Sequence, residues 1–377
     1  MIFKNDPNKH GYYEVNGYRT FSKLEAIEIQ HRTGHWPHWN FNDDIYGNQS
    51  WTVDPQLSLV DLYKARCRQI RNAYDYVVIF YSGGSDSVNI LSYWIEEGLK
   101  IDEIASFWNV DGTKDPNVGH LNEEINRVVI PGVQRLRDKG LEFNFRLIDI
   151  TQYTEPFIYE AGYDWAYFTN NHFSPNNHSK LVFRDKIKDY ADMIAQGKSV
   201  CFLWGCEKPQ IFPEGDRHYL QFFDIMDYCV TPYTQQRMKQ GWYDELFYWT
   251  PDMPELIVKQ AHTLLKFVET CDMQEFYQDK PNRYGYNRRL NKYVTSAAAK
   301  IILYPKWDPT TFVNGKPSNF IYSERDAWFW KGNMDSVEFL RSLSLQYFDK
   351  IGSYWMNDPT DILKGIKCHC SPKYYLN

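Results

Sequence analysis

The sequence predicts an α/β protein: a doubly wound parallel sheet with a small N-terminal module and a mainly helical C-terminal region. Three observations predict it. Short apolar, β-branched runs alternate with helical periodicity between about residues 57 and 230, the pattern of parallel strands joined by crossover helices. A Gly-Gly turn follows directly on the most apolar of those runs, as at a strand-to-helix junction. The chain has 377 residues and is 43% hydrophobic, which fills the core of one large domain or two. A net charge of -6 does not suggest a general nucleic-acid binder or a membrane-surface protein. No apolar run approaches the roughly eighteen residues of a membrane span. Met1 to Asp6 lacks the apolar stretch of a signal peptide, so a cytoplasmic protein without membrane partners is expected.

Residues 1–55 read as the N-terminal module. Tyr12 to Thr20 predicts a hairpin, because Asn16-Gly17 suits a type I′ turn. Ser22-x-x-Glu25 is a capping box that opens a helix to about Arg32. Gly34 to Trp39 reads as an aromatic turn region. The central domain is expected over 56–232 and opens with a helix from Leu57 to Ala73, where Leu57, Val60, Leu62, Ala65 and Ile70 recur at helical spacing. Strands follow at Tyr76–Tyr81, Glu103–Val110, Phe143–Ile150 and Ser199–Trp204, with a fifth at Tyr219–Ile225. Helices are expected from Leu121 to Lys139, broken near Pro131, and from Lys180 to Gln196. Residues 233–377 read as mainly helical, with helices at Pro254–Thr270 and within Met334–Ile351, and a loop-like stretch from Tyr304 to Ser323.

The stretch Ser82-Gly83-Gly84-Ser85-Asp86-Ser87 carries the chemistry. It follows the strand Tyr76–Tyr81 and precedes the helical run from Val88. Two glycines let the backbone turn tightly and approach a ligand, and Ser85-Asp86-Ser87 can cap the helix. A strand, a Gly-rich turn and a helix start place several N–H groups and the positive helix end around one point, which suits phosphate. The residue order fits neither a Walker loop nor a dinucleotide fingerprint.

Ser-Gly-Gly-x-Asp-Ser after a strand resembles the PP-loop of the ATP pyrophosphatase superfamily, the adenine nucleotide alpha hydrolase-like fold. Asparagine, GMP, NAD and tRNA-lysidine synthetases belong to it, with sulfonucleotide reductases as relatives that usually depart from the order kept here at Gly83, Gly84 and Asp86. The flanking aromatic regions are similar to phage-borne members. The resemblance covers residues 77–98 closely and about 57–230 in topology. It implies an ATP- and Mg²⁺-dependent enzyme in which a substrate oxygen attacks the α-phosphorus, pyrophosphate leaves, and an amine, ammonia or sulfur nucleophile displaces AMP. The second substrate is not identified by the sequence. Glutamine-fed members begin with a catalytic cysteine after the initiator Met. This chain has Ile2 there, so glutamine as its ammonia source is not expected. A sulfonucleotide reductase and a non-catalytic nucleotide-binding protein are the alternatives.

Within this reading, N–H groups near Gly83, Gly84 and Ser85 cradle the β- and γ-phosphates, and the Ser82 and Ser87 hydroxyls add donors. Asp86, an anion, orients Mg²⁺ by the resemblance, or serves only as a helix cap. Asp111, at the end of the second strand, contacts ribose or substrate, or is a turn aspartate before Gly112. At the end of the fourth strand, Lys208 is the counter-charge for triphosphate or leaving pyrophosphate and Glu207 a substrate-amine ligand; a solvated turn is the bland alternative. Arg288 and Arg289 lie among aromatics between Lys280 and Lys306. They suit a lid over the phosphates, a solvated helix face or, less favoured, nucleic acid.

Seven scattered cysteines show no disulfide framework. Cys206 lies near Lys208, and Cys368-His369-Cys370 has at most part of a zinc ligand set. Ordinary thiols are the expectation for all three, and the pairs His35/His38 and His172/His178 read as loop or surface histidines. The aromatic share of 17% reads as an aromatic-rich core.

Overall fold

Asn16 and Gly17 both take positive φ, 49° and 82°, so a two-residue turn joins β1 (Tyr12–Val15) to β2 (Tyr18–Thr20). The computed structural model describes residues 2, 4, 6, 8–108, 125–149, 183–184, 186–205, 209, 211–222, 224, 238, 240–270, 297–308 and 369–377. Ser22 caps α1 (Lys23–Thr33) by accepting the Glu25 N–H, and Gly34 ends it in the left-handed region. The expected aromatic turn is partly a strand: β3 (His38–Asn40) pairs with β1 and completes a β2-β1-β3 sheet. A short α2 (Asp43–Gly47) follows.

The central layer is built on α3 (Leu59–Ala73), β4 (Tyr76–Phe80), α4 (Ser85–Glu96) and β5 (Glu103–Trp108). Ser58 caps α3, which buries Leu62, Tyr63, Arg66, Cys67 and Ile70 along one stripe. The helix expected around Pro131 is a π turn, Ile125–Val129, leading into α5 (Ile130–Asp138) with Pro131 at its start, where a missing N–H does no harm. Then come β6 (Asn144–Asp149), α6 (Lys188–Ala195) and β7 (Val200–Trp204).

The fifth strand expected at Tyr219–Ile225 does not join this sheet. Gly215, at φ 60°, and Asp216 form a tight turn between β8 (Ile211–Glu214) and β9 (Arg217–Leu220). Antiparallel pairing is thereby dictated, and β9 sits in a separate three-stranded sheet. The fifth parallel strand is β10 (Trp242–Leu246), in the region read as mainly helical. Asp244 and Glu245 made it look unlike a strand. The helices α7 (Pro254–Thr270) and α8 (Ala297–Leu303) follow, and β11 (Tyr374–Tyr375) pairs with β9. The helix expected within Met334–Ile351 lies outside the described residues. No helix among the described residues is long and apolar enough to cross a membrane.

The main sheet is all parallel with order β10-β7-β4-β5-β6. The chain leaves β4 in one direction through β5 and β6, then returns to build β7 and β10 on the other side. Strand alternation sends Asp244 to the face covered by Phe183, Arg184 and Tyr190, and Glu245 to the face covered by α3. Glu245 enters a buried quartet. Lys9 Nζ lies 2.6 Å from both Glu245 and Asp252, and Arg66 lies 2.8 Å from Glu245 and 3.5 Å from Asp252. Burial alone would raise the Glu245 carboxyl, but Lys9 and Arg66 hold it below its ordinary value. A second buried centre ties the C-terminal segment to α1: Asp224 accepts from Lys23 (2.8 Å), Tyr13 (2.7 Å) and the His369 N–H (2.8 Å).

Arg66→Met leaves two buried carboxylates facing one ammonium and is expected to lower unfolding free energy by about 3–5 kcal/mol. Adding Glu245→Gln restores charge balance, so urea unfolding of the double variant is expected to show a loss smaller than the sum of the two single ones. Burial would push the Asp224 carboxyl up, but Lys23 and His369 bring it down to about 2. A folded value below the unfolded one means a stabilisation present above the ordinary carboxylate range and lost as pH falls toward about 2. Urea unfolding at pH 5 and pH 3 is expected to show Asp224→Asn flattening this acid dependence by roughly 1 kcal/mol.

Candidate functional site

In open parallel sheets ligands bind outside the carboxyl ends of the strands, where strand order reverses. That point here lies between β4 and β7, and the Ser82–Ser87 loop leaves β4 there. Gly83 has φ +71°, and a Cβ on it would lie 2.2 Å from Val128 Cγ1 of the π turn. Both the backbone and the neighbouring side chain therefore demand glycine. Gly84, extended at φ -73° and ψ 166°, is the N-cap of α4. This differs from a helix capped by Ser85-Asp86-Ser87, since those three residues form its first turn.

The reason is that the serine hydroxyls serve the loop. Ser82 Oγ accepts the Gly84 N–H at 3.3 Å, and Ser87 Oγ accepts the Ser82 N–H at 3.2 Å. Ser87 Oγ also donates to the Gly84 carbonyl at 3.2 Å, so its proton is used inside the loop. No side chain caps α4. Its first-turn N–H groups and positive helix end face the carboxyl edge of the sheet without a side-chain acceptor at the cap position, a cradle suited to an anion.

The half-buried Asp86 stands on the other side of that turn, among tyrosines. Tyr248 donates to the Asp86 carbonyl at 2.9 Å and accepts from Asn89 at 3.3 Å. Burial raises the Tyr63, Tyr248 and Tyr304 hydroxyls, and the Asp86 charge adds to each. All three are therefore protonated donors at neutral pH. A single carboxylate suits Mg²⁺, which takes one or two plus phosphate oxygens. Among the described residues no cluster of three metal-ligating side chains exists.

Gly205 closes the crevice from β7: a Cβ there would lie 3.0 Å from Ile90 Cδ1 and 3.3 Å from the Ser87 nitrogen. Phe107, Phe80 and Trp204 form a flat stack beneath the carboxyl edge, with Phe80 and Trp204 centroids 3.9 Å apart and Phe80 and Phe107 4.9 Å apart. Sequence reasoning placed Ser82 to Ser87 together, and they are together. Val128, Gly205, Tyr248 and Tyr304 went unnoticed; only Gly205, just past a strand end, carried a signal of close packing. Asp111, Cys206, Glu207, Lys208, Arg288, Arg289 and Cys368 lie outside the described residues. Cys67, Cys201 and Cys370 carry free thiols, each raised by burial, Cys370 to about 12. None of these three is a thiolate at neutral pH.

The chain matches no protein-family model, and no curated protein matches it.

Gly83→Ala meets both the φ strain and the Val128 methyl. It is expected to destabilise the chain by about 2–4 kcal/mol in denaturant unfolding. Adding Val128→Ala removes the collision but not the strain, so only part of the destabilisation from Gly83→Ala is expected to return.

Proposed function

We propose that the chain is an ATP-dependent enzyme of the PP-loop type. It forms AMP and pyrophosphate by activating a substrate oxygen for attack by an amine, ammonia or sulfur nucleophile. The observation that carries this reading is the Gly83-Gly84 turn, which presents a first helical turn without a side-chain cap at the sheet's switch point. The order Gly83-Gly84-x-Asp86 and the resemblance it carries select adenylation among phosphate chemistries.

In this mechanism the amides of Gly83 and of the first turn, Ser85 to Ser87, hold the β- and γ-phosphates, the Gly84 N–H being taken by Ser82 Oγ, so the bridging oxygen to the α-phosphorus becomes the leaving oxygen. The substrate oxygen attacks in line, the bond to pyrophosphate breaks, and the bound acyl or imidoyl adenylate then loses AMP to the second nucleophile. The Ser82 hydroxyl, 3.5 Å from that of Ser87, can turn its proton from that long contact to a phosphate oxygen. Asp86 would hold Mg²⁺, which when bound supplies charge neutralisation to the phosphates. Lys208, at the exit of β7, is proposed as the counter-charge for departing pyrophosphate, and Asp111 as a ribose or substrate contact. Glu207, Arg288 and Arg289 are proposed second-substrate contacts. The thiols of Cys67, Cys201 and Cys370 give no support to a thiol-based reductase reading.

Incubation with ATP labelled at the α-phosphate, Mg²⁺ and candidate amines, tRNA or DNA is expected to yield labelled AMP. ADP as sole product overturns adenylation, and no turnover with any substrate favours a nucleotide-binding role. Asp86→Asn is expected to slow AMP release by about a hundredfold or more while far-UV circular dichroism stays unchanged.

A further inference from the structure

The first turn of α4 rests on groups drawn from distant parts of the chain. Tyr248 lies two residues beyond β10 and donates to the Asp86 carbonyl. Tyr304 follows directly on α8; its ring centroid is 5.2 Å from that of Tyr248, and its hydroxyl faces Asp86. Both side chains are fully buried. Tyr63 of α3 packs edge-on against Tyr248 at 5.7 Å, donates to the Leu303 carbonyl at 2.8 Å and accepts from Gln260 of α7 at 2.9 Å. Farther along α4, Lys306 pairs with Glu96 at 2.7 Å, which docks the same segment on the helix a second time.

A core of this size needs no hydroxyls to be filled, since phenylalanine has nearly the same shape. Here hydroxyls from two separate segments converge on one residue, Asp86, whose neighbours form the phosphate cradle. We propose that Tyr248 and Tyr304 are positioning residues of the phosphate loop, which makes the segment around α8 a working part of the nucleotide site. The proposal rests on the ATP reading above. Tyr248 fixes the carbonyl of Asp86 by a hydrogen bond, and Tyr304 backs the Tyr248 ring and brings its own buried hydroxyl toward the Asp86 charge. Together they set the pitch of the first turn and the aim of its amides.

The test uses the full chain and calorimetric titration with two ligands: ATP with Mg²⁺, which needs the cradle, and adenosine, which lacks phosphates. Tyr248→Phe and Tyr304→Phe each remove one hydroxyl and keep the ring. Each is expected to weaken ATP by about three- to tenfold, the worth of one hydrogen bond, and to leave adenosine affinity unchanged. Hydrogen exchange at the amides of residues 83–87 is expected to quicken in both variants. A purely structural role would weaken both ligands alike. That result, or unchanged ATP affinity, overturns the proposal while the ATP reading stands. A wild-type chain that binds neither ligand overturns the ATP reading and the proposal with it. Should Tyr248→Phe fail to fold, Tyr304→Phe decides by the same two titrations.

Discussion

Two consecutive acids on one edge strand hold the molecule's layers together. Asp244 and Glu245 point to opposite faces of the parallel sheet because strand side chains alternate. Glu245 meets Lys9 from the N-terminal module and Arg66 from α3, with Asp252 completing a balanced set of two cations and two anions. Asp244 meets Arg184 at 2.5 Å and Trp204 at 2.6 Å on the other face. Shifting β10 by one residue would exchange these partners and leave buried charges facing apolar rings. The register against β7 is therefore fixed by electrostatics as well as by backbone pairing.

The same register reaches the Gly83-Gly84 loop. Phe247 extends the pairing by donating to the Trp204 carbonyl at 3.0 Å. The next residue, Tyr248, is thereby delivered beneath Asp86. Beyond it, Thr250 holds the Asp252 carboxylate at 3.0 Å, and Asp252 closes back on Lys9 and Arg66. The turn between β10 and α7 is thus tied at one end to the charged quartet and at the other to α4. The first turn of α4 is thereby tied to β10 through the Tyr248 side chain.

Much of this was legible in the sequence, and the parts that were not share a cause. The Asn16-Gly17 hairpin, the Ser22/Glu25 cap, four parallel strands, α7 and the Gly83-Gly84 loop each carry local signals that act within a few residues. β10 was missed because Asp and Glu are poor strand formers when judged without their partners, and the partners lie at Lys9, Arg66 and Arg184. β9 was assigned to the wrong sheet because the Gly215-Asp216 turn was passed over in favour of an apolar run. Val128, Tyr248 and Tyr304 belong to the candidate site through contacts spanning about forty to more than two hundred residues of chain. No periodicity or spacing rule reports such contacts.

Four tyrosines serve the buried carboxylates. Tyr74 donates to Glu245, Tyr76 and Tyr190 to Glu103, and Tyr13 to Asp224. Each ring packs in or against the core while its hydroxyl supplies a hydrogen bond that water would otherwise provide. Each of these carboxylates also has a cation in contact: Lys9 and Arg66, Arg146, and Lys23. Neutralised and fully buried, they are structural. Asp86 has the tyrosine surroundings of this group, yet it is half-buried and sits in the first turn of a helix at the sheet's carboxyl edge. Its main-chain carbonyl is held by the buried Tyr248 hydroxyl while the residue stays partly exposed, so it is ordered without being enclosed, as the proposed metal-phosphate role requires.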